Sequence, residues 1–189
     1  PPGAGEMGDV REPLWRRWAR WWRHRWQADG AAQRAVPPEM ADRLRQRVAA
    51  SEQRHSGEIC LCVEGALPER YLWRIGRDAS LPDVVRTRAL AWFGKLRVWD
   101  TDHNNGVLIY LLLVERRIDI VADRGIARQV PSEHWQTVVD RLAVRLRQGD
   151  VEGGLTEALE EVSALLVQHY PLADGQANPN ELADHVRVV

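Results

Sequence analysis

The stretch that most limits how this chain can fold is VLIYLLLV, residues 107–114, eight apolar residues in succession. A membrane span needs about 20 such residues, so this run cannot cross a bilayer. An apolar run of this length without alternation belongs to a strand covered on both faces. Glu115 and Arg116 then read as a two-residue turn. Residues 117–123 return as a third strand, with Ile118, Ile120 and Ala122 alternating. Residues 58–64, EICLCVE, form another continuously apolar segment and read as the first covered strand. Strands buried on both faces need helices on both faces.

The flanking sequence supplies them. Residues 38–54 place Met40, Leu44 and Val48 on one helical face, and residues 82–96 do the same with Val85, Ala89, Trp92, Phe93 and Leu96. Ser132 can cap a helix whose inward stripe is Trp135, Val138, Val139, Leu142 and Leu146, stopped at Gly149. A last helix starts near Gly153 and Gly154 and buries Leu155, Leu159, Val162 and Leu166 before Pro171. Strand, helix, hairpin, helix, helix predicts an α/β fold: a three-layer α/β/α sandwich around a short mixed sheet of three to five strands. Residues 1–37 precede it as an arm with a linker, residues 38–170 form the domain, and residues 171–189 read as a loose polar tail. Met7 is expected as the natural start, and residues 1–6 are set aside.

Composition narrows the function classes. The 189 residues carry a net charge of −1, which gives the whole chain no electrostatic pull on nucleic acid. Cys60 and Cys62 lie two apart on one strand, too poorly placed to bridge each other or to build a zinc site, and read as small buried hydrophobes. His24, His55, His134 and His169 share no spacing and read as surface or capping residues. No apolar signal region stands near the N-terminus, so the expected location is cytoplasmic, with peripheral membrane contact through the arm as the variant.

The order of pieces resembles a known family. A strand follows Ser56-Gly57-Glu58, Trp99 precedes an acidic turn, Asn105-Gly106-Val107-Leu108 opens a strand, and Gln148-Gly149-Asp150 with Gly153-Gly154 precedes the last helix. With the core NNGVLIYLLL…RIDIVADRGI, this is similar to the TPM domain, also called the TPM phosphatase domain, over roughly residues 38–170, and looks closest to its bacterial putative membrane protein branch. The resemblance implies divalent-cation binding and a role as a non-catalytic binding module in envelope or membrane-associated protein assembly. The alternative it implies is a metal-dependent phosphomonoesterase. The family's Glu-x-Gly-x-Gly return turn is here Ile120-Val121-Ala122-Asp123-Arg124-Gly125, which keeps only the last glycine.

Topology points to one place for the chemistry. Asp100, Asp102 and Asn104 alternate as a helix-loop-helix calcium site begins, but Asn105 holds the place of its glycine and Leu111 that of its glutamate. If the hairpin forms, Asp123 lies beside Asn105, and a right-handed crossover brings Glu58 to the same edge. Up to four carboxylates (Asp100, Asp102, Asp123, Glu58) and two amides (Asn104, Asn105) would then share one rim. Oxygen donors without thiols favour Ca²⁺ or Mg²⁺ over zinc. The open alternative is plain turn architecture, in which these side chains only satisfy backbone amides. Arg124 is the candidate clamp for phosphate charge. Asn105-Gly106 is expected at positive φ.

The arm is set apart by PLWRRWARWWRHRW, residues 13–26, with five of the nine tryptophans, five arginines and no acid. Trp15, Trp18, Trp22 and Trp26 fall on one helical stripe. The favoured reading docks that stripe on the domain or on a protein partner, a second copy included, with the arginines in water. The other lays it on a membrane surface.

Overall fold

The computed structural model describes residues 12–27, 30–173, 175–176, 178 and 186–189. Met7 and the segment before it lie outside the described residues. Helix α1 (Leu14–Gln27) is followed by the short α2 (Ala31–Ala35), α3 (Pro38–Glu52), strand β1 (Ile59–Glu64), the single turn α4 (Glu69–Leu72) and α5 (Leu81–Lys95). Then come β2 (Val107–Leu112), β3 (Arg117–Ala122), α6 (Arg124–Gln129), α7 (Ser132–Arg147), α8 (Val151–His169) and β4 (Val186–Val188).

The sheet runs β3-β2-β1-β4, with β1 parallel to β2 and β4 and the β2–β3 hairpin antiparallel. The unbroken apolar runs are explained by the two central strands. Ile59, Leu61, Val63, Val107, Ile109 and Leu111 pack on one face, under α3, α7 and α8. Cys60, Cys62, Leu108, Tyr110 and Leu112 pack on the other, under α5. Both cysteines are buried, and neither forms a disulfide. Every residue of β1 and β2 is buried, whereas β3, on the edge, is only partly covered. The three-layer sandwich expected from the pattern is the one that forms.

Four local expectations are corrected. Ser132 does not cap α7; Pro131 holds that position, and Ser132 is already helical. Asp150 caps α8 instead of the glycines, accepting from the Gly153 amide at 2.9 Å, and the helix begins two residues earlier than read. The hairpin turn takes residues 113–116, because Glu115 turns inward to meet α1 and Arg116 adopts a φ of 50°. The end of the tail is not loose: Val186 and Val188 pair with Leu61 and Val63, closing the edge of β1 that the apolar pattern left open.

The arm forms its helix but docks the opposite way round. Arg20 and His24 are its buried residues, while Trp15, Trp18, Trp22 and Trp26 are 66%, 50%, 50% and 76% exposed. His24 Nδ1 accepts from the Leu67 amide at 3.0 Å, which leaves Nε2 to donate to Glu115 at 2.9 Å. Arg20 adds a two-pronged pair with Glu12, at 2.6 and 3.1 Å, and an ion pair with Glu115 at 3.3 Å. Burial would raise the Glu115 pKa, but the His24 bond and the charges of Arg23 and Arg20 hold it below the usual range. A helix can dock through polar residues when each buried group finds its complement. Trp18 keeps an edge-on contact with Trp73 of the domain at 5.9 Å, while the stripe as a whole faces outward.

Candidate functional site

Backbone pairing builds the rim as the topology required. The Val107 amide donates to the Glu58 carbonyl, and the Asp123 amide to the Gly106 carbonyl, each at 2.9 Å. Residues 58, 106 and 123 are therefore neighbours across three strands. The loop before β2 is pressed onto this edge. At Gly106 a Cβ would stand 2.0 Å from the Val98 carbonyl oxygen, so only glycine fits there. The positive φ expected at Asn105-Gly106 belongs instead to Asn104, at 51°. That twist aims the Asn104 carbonyl at the start of α6, where it accepts from the amides of Gly125 (2.8 Å) and Ile126 (3.3 Å).

Asp123 ends β3 and caps α6, one carboxylate oxygen accepting from the Arg124 amide at 2.7 Å. Its Oδ2 and Oδ1 of Asn105 are both buried, and neither has a hydrogen-bond partner among the described residues. The rest of Asn105 is held in place: its amide donates to Thr101 Oγ1 (3.1 Å) and its Nδ2 to Ser56 Oγ (3.3 Å). Tyr170 closes the side of the rim, its hydroxyl pKa raised by partial burial and then by the Asp123 charge. Glu58 is fully buried. Beside it stands Glu52, whose pKa is pushed up to about 8, first by burial and then by the charge of Glu58.

The rim gathers less than the six residues proposed from sequence. Glu58, Asn105 and Asp123 meet through the backbone, and Asn104 joins them through Arg124, which donates to its Oδ1 at 3.4 Å. Asp100 and Asp102 remain on the solvent side of the turn, Asp100 engaged with Arg97. Among the described residues, no group of three or more His, Cys, Asp or Glu side chains stands close enough to hold one ion. Glu52 was missed. The signal was present, because Leu44, Val48 and Glu52 follow one another at four-residue spacing, so the acid continues an inward stripe. His55 was also misjudged: it is fully buried, bonded to Ser51 Oγ (2.8 Å) and the Gly57 carbonyl (3.0 Å).

The fold is shared with solved structures. The BA42 protein from the psychrophilic bacterium Bizionia argentinensis is similar at a TM-score of 0.64 and 24% identity, over 80% of this chain and 94% of that one. The N-terminal domain of a protein from P. gingivalis is similar at a TM-score of 0.50 and 21% identity, over 73% of this chain and 82% of that one. Identities this low establish the fold and nothing finer. No curated protein matches the chain. The TPM domain, by contrast, matches residues 33–165, a span that takes in β1 to β3, the acidic turn and most of α8. With well over half of its length matched, this chain belongs to the TPM domain family.

Proposed function

We propose that the rim is a weak divalent-cation site of a non-catalytic binding module, one that serves envelope or membrane-associated protein assembly. One observation carries the reading. Asn105 Oδ1 and Asp123 Oδ2 are two buried side-chain oxygens at one sheet edge, and no donor among the described residues reaches either. An unanswered buried acceptor costs about 1–3 kcal/mol, more when it is charged. A cation would answer both, with Glu58 adjacent to add charge. The donor set is all oxygen and suits Ca²⁺ or Mg²⁺. Asp100 and Asp102, on the outer side of the turn, would draw the ion toward the rim without enclosing it. No preformed loop surrounds the site, so affinity falls at the weak end for calcium, about 10⁻⁴–10⁻³ M.

The test is a Ca²⁺ and Mg²⁺ titration that follows the amide resonances of residues 100–106 and 123–125. Shifts there, lost in Asn105→Ala and Asp123→Asn, support the site. Flat titration curves at millimolar cation leave the stretch as turn architecture. The phosphomonoesterase reading needs a nucleophile or a metal-activated water, and a clamp. Arg124, its clamp candidate, is exposed and turned to Asn104 Oδ1. Phosphate-ester turnover that requires Ca²⁺ or Mg²⁺ and disappears in Asp123→Asn would replace the binding-module reading.

A further inference from the structure

We propose that the outward face of α1 is a docking surface for an anionic lipid bilayer. The starting point is the inverted amphipathicity of this helix. Its polar residues Arg20 and His24 face the protein, whereas Leu14, Trp15, Trp18, Trp22 and Trp26 are between 50% and 76% exposed. Apart from the edge contact of Trp18 with Trp73 at 5.9 Å, the stripe is open, and a helix that presents four indoles to solvent has an unfilled surface.

Three features select a bilayer as the occupant. The first is charge. No acidic side chain lies on α1, and Arg16, Arg23 and Arg25 are exposed between the indoles. Arg16 lies over the Trp15 ring at 5.3 Å and Arg25 over Trp21 at 5.8 Å, so cationic groups and rings share one surface. The net charge of the whole chain is only −1, so this positive charge is local to the helix. The second is residue type. Indoles with a polar N–H settle at headgroup depth, where one edge is apolar and the other wet, and arginine pairs with lipid phosphate. None of the four stripe indoles donates its N–H to another residue among those described, and Trp22 stacks on Trp26 at 6.1 Å to form a broad flat patch. The third excludes a second copy. Two chains meeting through this face would set Arg16 and Arg25 against one another with no acid on the helix to answer them, Arg23 being paired with Glu115 at 3.8 Å.

The anchoring suits a surface that must stay oriented. Glu115 is held by His24 and Arg20, so α1 is fixed to the hairpin turn, at the end of the sheet opposite the acidic rim. Bound this way, α1 lies in the headgroup plane and crosses nothing. Among the described residues no helix is long and apolar enough to cross a membrane.

The experiment is co-sedimentation of the full chain with vesicles of phosphatidylcholine alone and of an equal mixture with phosphatidylglycerol, read together with indole emission. Binding to the mixed vesicles about tenfold tighter than to the neutral ones, with a blue shift and loss in high salt, is expected. The triple variant Trp15→Ser, Trp22→Ser, Trp26→Ser should keep its melting temperature and lose vesicle binding. Arg16→Gln with Arg25→Gln should keep the fold and remove the preference for the anionic vesicles, by about tenfold. Equal binding by wild type and the tryptophan variant, indifference to lipid charge, or a dimer in solution that the tryptophan variant abolishes would each overturn the proposal. None of these readouts depends on cation binding at the rim.

Discussion

Two buried carboxylates at opposite ends of one sheet are treated in opposite ways. Glu64, at the end of β1, receives Arg88 through Nε (2.9 Å) and Nη2 (2.5 Å), the Trp92 indole N–H (3.1 Å) and the Tyr110 hydroxyl (2.6 Å). The Arg88 guanidinium in turn lies over the rings of Trp92 and Tyr71, at 4.9 and 5.1 Å. Asp123, at the end of β3, receives one amide on Oδ1 and nothing from the described residues on Oδ2. Their exposures are nearly alike, 4% and 7%. Burial of an acid therefore says little about function. Whether its lone pairs are answered separates a structural carboxylate from one with capacity for a ligand.

The largest expected effect breaks this pair apart. Glu64→Ala leaves Arg88 in its pocket without a counter-charge, and loss of one partner of a buried pair costs about 3–5 kcal/mol. Asp123→Asn keeps a capping acceptor on α6 and should cost under about 1 kcal/mol. Urea unfolding of both variants measures the gap. Equal losses would mean that Asp123 is as structural as Glu64.

The next effect sharpens the comparison at the rim itself, through pH. Glu52, raised to about 8, holds its proton in the fold and releases it on unfolding, so stability falls as pH rises from its ordinary value toward 8. His55 works the other way. Burial first, and then the Arg54 charge, lowers it to about 4 against the bond that its ring gives Gly57, so the unfolded chain takes up a proton that the fold refuses. Stability from His55 therefore rises with pH between about 4 and 6.5. Below about pH 6.5 the two slopes oppose, and above it Glu52 acts alone. Stability should therefore fall between roughly pH 6.5 and 8, as the unfolded chain releases the proton that Glu52 keeps beside Glu58. Glu52→Gln should flatten that slope; a slope that survives in the variant would place its origin elsewhere.

What could be seen in the sequence follows the range of the signal. β1, β2 and β3 were legible because covered strands write themselves as continuous or alternating apolar runs, and the parallel pairing of β1 with β2 followed from the crossover rule. Val186–Val188 was not legible, because three residues become a strand only when the free edge of β1 is there to receive them. At the rim, chain order brought Glu58, Asn105 and Asp123 together, but it could not show that Asp100 turns to Arg97. For α1, the spacing identified the stripe but not the face that docks. The partners that decide this, Leu67 and Glu115, lie 43 and 91 residues away from His24.

His24 belongs with Glu64 on the answered side of the comparison, and its removal gives the third effect. His24→Ala strips the Leu67 amide of its acceptor and Glu115 of a donor, both inside the docked interface. An unsatisfied buried partner costs about 1–3 kcal/mol, so thermal unfolding of His24→Ala should show a loss in that range. No loss would mean that the other contacts of α1 with the domain, among them Arg20 with Glu115 and Arg17 with the Trp73 carbonyl, suffice to hold it.

The smallest effect lies on the other face of the same helix. Trp26 is 76% exposed, and its ring stacks on Trp22. An exposed side chain already meets water in the folded state, so deleting it removes little that folding had gained, and such changes fall within about 0.5 kcal/mol. Trp26→Ser should therefore melt with the wild type, while His24→Ala, two positions away on the inner face, does not. A drop for Trp26→Ser comparable to that of His24→Ala would show that the outward indoles support the fold after all. Equal melting leaves Trp26 free for a use outside the fold, because an exposed indole that adds no stability needs another occupant to account for it.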